Sequence, residues 1–541
     1  MRKTTLLATI LVAAVCATAQ TQVKVGDNLQ TAIDTAKSGT TLYVQAGTFK
    51  GNFTMKDGVN VSGGWDATFT TQTEYGTILD ANANGRVVHQ PAAFTTLTVW
   101  SNLTIQNGNL KEKASDQLGS GVALNKNGRV EYCLIQNNTY SYTSGNCMGG
   151  GVGQEAGAAQ TDVLVDHCVI RNNKASHGGG VRIRGTIQNS IIENNLTEAN
   201  AAGGLHLQAG IGINCIIRNN KGKATGGVRL YNKCKLIGCL VANNTSVSNV
   251  GGISIEGANS DVIGCTVVGN KQKDDSYSKC GISCAATADN GTYLANNIVW
   301  GNMNADSVPA AQIYYVSHYS AAHRIYNAVN KQTTNNNGTC FNLNPDNDAA
   351  DGPRFVDPAN GDYRLRWDSP LLNRGSDTLA TKYGVAADLL GVARPAGDAV
   401  DYGCYEHPYV TLTVAELSHS SLQAGEQSWT AGDYSLPAGF TTDITIQAEE
   451  DYCIEKVMLG ETLLTPNDGT TNVYTLTVDE DCTLAITTKS SDIGSVVANV
   501  QDEAEEVIAI FDMTGKRVDM PTQAGSYILH TSRGAKKVVL K

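Results

Sequence analysis

Residues 226–244 read GGVRLYNKCKLIGCLVANN, and the chain keeps rewriting that phrase. Its second half returns as YCLIQNN (132–138), HCVIRNN (167–173), NSIIENN (189–195), NCIIRNN (214–220), GCLVANN (238–244) and GCTVVGN (264–270). Its first half returns as GGGVRI (178–183), GGLHL (203–207), GGVRL (226–230) and GGISI (251–255), with looser copies GSGVAL (119–124) and CGISC (280–284). The closing Asn falls at 138, 173, 195, 220, 244 and 270, so the gaps are 35, 22, 25, 24 and 26 residues. A period in the twenties is the mark of a solenoid. Within a copy, Val228 and Leu230 share one face while Arg229 and Tyr231 take the other, a period of two that means strand. No copy carries a helical period. The expected fold is all-β: a right-handed parallel β-helix in which each copy is one coil and like residues stack about 4.8 Å apart.

Stacking predicts columns. Asn137, Asn172, Asn194, Asn219 and Asn243 read as a turn ladder, since Asn tolerates the left-handed conformation and its amide can bond to the next coil. The glycine pairs permit positive φ or close backbone approach. Cys133, Cys168, Cys215, Cys239 and Cys265 form an inward column with Ser190 in one gap, and read as small buried filler rather than metal ligands. At the front, DNLQTAIDTAKSG (27–39) reads as a capping helix over the open end of the core, with Asp27 as its N-cap, Leu29, Ala32, Ile33 and Ala36 on one face, and Gly39 at its end.

Many glycines (56), 6% aromatics and 17% charge suit short strands and turns. A net charge of −11 with no basic tail argues against nucleic acid as partner. Arg2, Lys3, the apolar run 6–15 and Ala17-Thr18-Ala19 read as a signal peptide (1–19), and no later run is apolar enough to span a bilayer, so the expected location is outside the cell or on its outer surface. Without Cys16, thirteen cysteines remain, an odd number that leaves at least one thiol unpaired. Cys453 and Cys482 lie outside the repeats and stay open between a disulfide and two thiols.

The segments GTFKGNFTM, VSGGWDATF and GTILDANANGRVV resemble the opening of secreted β-helix proteins of the pectin-lyase-like superfamily. The GG[VIL] and C-x-I-x-N-N elements resemble the repeats of chlamydial polymorphic outer-membrane proteins, with Cys where those carry Phe. The β-helix is expected over 20–340. FVDPANGDYRLRWDSP and ADLLGVARPAGDAVDYGCYEHP resemble the closing segment of bacterial β-helix proteins (341–408), which implies a cover for the last coil. Asp346, Asp348 and Asp351 could hold calcium there, although a solvated acidic turn explains them as well; no cofactor is otherwise required. Alternation over 409–488 predicts a small antiparallel β-sandwich. The tail (489–541), with IFDMTGKRV, AGSYIL and KKVVLK, resembles the C-terminal sorting domain of the type IX secretion system in Bacteroidetes, which implies that machinery as a partner.

Alternation from the glycine pairs sets two outward columns: Ala123, Arg182, His206, Arg229 and Ser254, and beside it Asn125, Arg184, Gln208, Tyr231 and Glu256. Arg182, Arg184, His206 and Arg229 would thus gather cations on an acidic chain. Arginines can grip a uronate carboxylate bidentately, and Tyr231 can stack on a sugar. The expected function is a non-catalytic surface protein that binds a polysaccharide or host-surface glycan through Arg182, Arg184, His206, Arg229, Tyr231 and Glu256. The alternatives are a lyase or hydrolase acting on an acidic polysaccharide, and a purely structural surface component. HGGGVRIR (177–184) echoes polygalacturonase elements but sits in register with the other glycine repeats. Asp162 and Asp166 have no assigned facing, and a hydrolase would need two opposed carboxylates.

Overall fold

The computed structural model describes residues 21–491 and 507–540, apart from 113–117, 143–145, 155–161, 200, 274–278, 285–291, 305–310, 316–323, 331–339, 468–471, 514, 519–524 and 532–533. The expected signal peptide and most of the expected linker before the tail lie outside the described residues. The chain divides into two compact units, Met1–Tyr409 and Val410–Lys541.

The first unit is a parallel β-helix. Three long sheets of twelve, ten and twelve strands run its length, and each strand within them, save those at the sheet ends, pairs with the equivalent strand one coil before and after. One coil contributes Val228–Tyr231 to the second sheet, Lys235–Ile237 to the first and Leu240–Ala242 to the third, then the two-residue strand Thr245–Ser246 to a short fourth ladder. Val228 lies in register with Leu205 and Ile253, and all three are buried. The inward positions fuse into one apolar core running from Val23 to Val329.

Two side-chain ladders fix the register. Asn138, Asn173, Asn195, Asn220, Asn244, Asn270 and Asn302 are fully buried or nearly so, and each donates its Nδ2 to the side-chain oxygen of the next coil, at 2.8–3.1 Å. Each Oδ1 from Asn173 onward also accepts the backbone N–H of the preceding coil's Asn. This corrects the expected ladder by one residue. Asn137, Asn172, Asn194, Asn219 and Asn243 do take the left-handed turn, with φ of 55° to 57°, but that turn points them outward and their successors into the stack.

The cysteine column is buried, and it is a ladder rather than inert filler. The backbone N–H of Cys168 donates to Ser190 Oγ, that of Cys215 to Cys239 Sγ, that of Cys239 to Cys265 Sγ, and that of Cys265 to Asn297 Oδ1. Each thiol donates back to the carbonyl two residues before it, as Cys133 does to Glu131 at 3.2 Å and Cys215 to Ile213 at 3.3 Å. Ser190 and Asn297 fill the same slot because the slot requires an acceptor as well as small size. The glycine pairs serve close approach: a Cβ on Gly227 would lie 2.8 Å from the Gly252 carbonyl and 3.0 Å from Asn244 Nδ2.

The capping helix, Leu29–Thr35, buries Leu29 and Ile33 against the first coils. Its N-cap is Asn28, which accepts from the Thr31 N–H; Asp27 instead accepts from the Lys24 N–H. The helix stops at Thr35, four residues before Gly39, which shapes the following turn at φ +88°.

The closing segment covers more than the last coil. Phe355, Tyr363, Leu365, Leu371, Tyr402 and Cys404 pack on the outer face of the third sheet at Leu240, Val268, Ile298 and Ala328. Asn214 donates to the Ala387 carbonyl, Cys404 N–H to Thr266 Oγ1, and Tyr383 hydroxyl to Asp261. The segment is therefore a strap along the flank of the later coils. Within the strap, Arg394 and Glu406 form a buried ion pair at 2.8 Å.

In the second unit, sheets of five and four strands enclose a core that includes Leu412, Trp429, Ile444, Leu476 and Leu484. The sandwich is mixed rather than wholly antiparallel, because Tyr409–Val414 pairs in parallel with Cys482–Ser490. Cys453 lies opposite Lys489, and both Cys453 and Cys482 are free thiols. Strands Val507–Asp512, Arg517–Val518, Gly525–Thr531 and Gly534–Leu540 form a four-stranded antiparallel sheet.

Candidate functional site

The second sheet carries the cations. Its register aligns Ala123, Gly153, Arg182, His206, Arg229, Ser254 and Ser283 in one outward row. Arg182, His206 and Arg229 therefore occupy three successive coils, about 4.8 Å apart at the backbone. The sequence reading had skipped the coil through Val152–Gln154, whose glycine-rich GGGVGQ run hides the usual pattern.

The row is more deeply set than outward alternation suggests. His206 is 5% exposed and Ala123 and Ser254 are buried, whereas Tyr231 in the neighbouring column is 39% exposed. Arg182 donates to Gln208 Oε1 at 2.7 Å. Arg229 pairs with Glu256, whose other oxygen accepts from Ser254 Oγ at 3.1 Å, and the Arg229 guanidinium lies 5.8 Å from the Tyr231 ring centre. Arg184 has no carboxylate partner among the described residues, and its Nε is buried without a hydrogen bond. It lines a cleft of about 330 Å³ with Gln208, Tyr231, Asn232, Lys233 and Ala258.

The cations perturb one another. Burial, then Arg184 and Arg229, push the Arg182 guanidinium down to about 10. Burial, then Arg229, Arg182 and His177, hold the His206 imidazole well below its ordinary range. His177 is likewise lowered by burial and then by Arg182 and Arg229. Sequence reasoning missed His177 as a member of this group; the signal was its place just ahead of the glycine run in HGGGVRIR. A row of like charges that depresses its own titrations is a favourable place for a multivalent anion.

No family model matches the chain, and no curated protein matches it. Solved structures similar to it include a tailspike protein from Acinetobacter baumannii bacteriophage Fri1, described as a capsular polysaccharide depolymerase (10% identity over 87% of this chain and 83% of that one, TM-score 0.35). A pectate lyase is 14% identical over 70% and 90% of the two chains, at TM-score 0.32. A mannuronic-acid-specific family 6 polysaccharide lyase from human gut microbiota is 8% identical over 58% and 87%, at TM-score 0.26. At such low similarity, the fold rests on this chain's own strand register.

The expected calcium ligands do not converge. Asp346 accepts the Asp348 N–H, Asp348 pairs with Arg366 at 2.8 Å, and Asp351 accepts from Asn344. Among the described residues, no group of three His, Cys, Asp or Glu side chains could hold a metal ion. Elsewhere, Asp166 and Glu131 lie side by side on adjacent coils of the first sheet. Asp166 accepts from Asn189 and pairs with His167, which stacks on Tyr132 at 4.7 Å. Asp162 lies apart from them, 3.9 Å from Lys126. No helix among the described residues is long and apolar enough to cross a membrane.

Proposed function

We propose that this protein binds an acidic polysaccharide, free or displayed on a host surface, along the second sheet, and does not cleave it. In this reading the chain is exported by its N-terminal signal and its tail engages a type IX secretion system. One observation carries the binding reading: Arg182, Arg184 and Arg229, with His177 and His206, gather on neighbouring coils of an acidic chain, and Arg184 lines an open cleft beside Tyr231 with no carboxylate partner among the described residues. A polyanion would supply the missing charge, and Tyr231 offers an exposed ring to a sugar face. Against cleavage, Glu256 is the carboxylate in these columns, and both its oxygens are engaged by Arg229 and Ser254.

The test is binding of polygalacturonate, alginate and neutral dextran to the full chain at several salt concentrations. The expected result is salt-sensitive binding of the two acidic polymers alone, weakened about tenfold or more by the double variant Arg184→Ala, Lys233→Ala. Equal affinity for dextran would remove the anionic reading. Release of unsaturated products or reducing ends would replace binding with the lyase or hydrolase reading.

A further inference from the structure

His206 stands between two arginines in its own row. Further along, the same outward position holds His89, Ala123, Gly153, Ser254, Ser283 and Tyr314. His206 is nearly buried, and its Nδ1 has no hydrogen-bond partner. A buried polar atom without a partner is destabilising, so the free protein carries a cost at this position. Among the described residues, charged groups face the ring from both sides. Arg182 stands on the preceding strand, with His177 before the glycine run and Arg184 after it. Arg229 stands on the following strand, its charge partly answered by Glu256. With one arginine in register on each side, positive charge on the imidazole is disfavoured in the free protein.

An anion seated across Arg182 and Arg229 reverses that balance. It neutralises the charges that disfavour imidazolium, and it offers an acceptor to the orphaned nitrogen. We propose that an acidic ligand binds this face together with one proton, taken from solvent by the His206 ring, which then donates an N–H hydrogen bond to the ligand from Nδ1. The inference rests on the anion-binding reading above and adds its regulation: capture is strong in mildly acidic surroundings and weakens as they turn alkaline. The sign follows from linkage. The bound state holds a proton that the free state lacks, so affinity falls with rising pH, by about tenfold per unit for one coupled proton, between the free and bound titrations of the ring.

Calorimetry on the full chain tests this. Polygalacturonate and dextran sulfate, whose sulfates do not titrate, are bound between pH 5 and 8 at fixed ionic strength, in two buffers of different ionisation enthalpy. The expected result is uptake of about one proton per site and a matching loss of affinity with pH for both polymers. His206→Ser, which installs the residue found at 254 and 283, should flatten the profile. Binding with a flat profile, or a slope that survives in His206→Ser, would overturn the proton coupling while leaving the anion face intact. No binding at any pH would remove both. Should His206→Ser fail to fold, the proton count in the unaltered chain decides the matter.

Discussion

The asparagine ladder yields a sharp prediction, because the structure assigns the stabilising role to one of two adjacent identical residues. Asn220 Nδ2 donates to the Ile192 carbonyl at 2.8 Å and to Asn244 Oδ1 at 3.0 Å, and its Oδ1 accepts from Asn195 N–H and Asn195 Nδ2 at 2.9 and 3.0 Å. Asn220→Ala strands a buried N–H and a buried carbonyl, at about 1–3 kcal/mol each, and breaks an amide–amide bond to each neighbouring coil, at about 1 kcal/mol each. Allowing for partial relaxation, the loss should be roughly 3–6 kcal/mol. Asn219 is exposed and left-handed at φ 57°, so Asn219→Ala should cost only about 1 kcal/mol of backbone preference. Asn219→Gly should be close to neutral, since Gly269 and Gly301 take equivalent turns with φ of 62° and 64°. Urea unfolding followed by far-ultraviolet circular dichroism gives the ranking. Amide hydrogen exchange across 189–244 shows whether the damage stays within adjacent coils, as nearest-neighbour solenoid energetics requires. Equal costs at 219 and 220, or a larger one at 219, would refute the reasoning.

Two further expectations follow from buried groups. In the chain without residues 1–19, a thiol reagent should under native conditions reach Cys340, Cys453 and Cys482, which are partly exposed, and spare the ten buried cysteines, whereas denaturant should release all thirteen; a disulfide in the native protein would lower that total by two. In the strap, burial and then neighbouring Glu406 push the Asp401 carboxyl up to about 7. The folded chain therefore keeps a proton that the unfolded chain gives up near pH 4, so this group's stability contribution is complete below about pH 4 and is lost as pH rises through about 7. Asp401→Asn should flatten the stability–pH curve across that window, and an unchanged slope would assign it to other groups.

The solenoid was legible because its cause is periodic. A coil that packs on a copy of itself must repeat its inward residues, and Cys168, Cys215 and Cys239 announce that slot directly. The ladder assignment missed by one residue for a geometric reason. Both asparagines of each NN pair recur with the same period, and spacing alone cannot say which one the left-handed turn aims inward. Arg182, His206 and Arg229 were legible as a row because alternation from a glycine pair fixes facing. Their depth was not, since outward from a sheet does not mean exposed to solvent. His177 escaped because it belongs to no strand, and the strap's reach along Leu240 to Ala328 escaped because its hydrogen bonds to Asp261, Thr266 and Asn214 span 122 to 173 residues and follow no period.

The hand-over of one amide pair from coil to coil also sets how such a chain can change its length. Ladder neighbours are separated by 35, 22, 25, 24, 26 and 32 residues, yet the pair they form is the same at every step. Extra residues are absorbed as excursions at the corners, while one residue slipped into a strand would turn every following side chain inside out. Duplication or excision of a complete turn leaves both new neighbours a familiar partner. The natural increment of growth is therefore one whole turn, and the spacing of the cationic row can be retuned only in steps of about 4.8 Å.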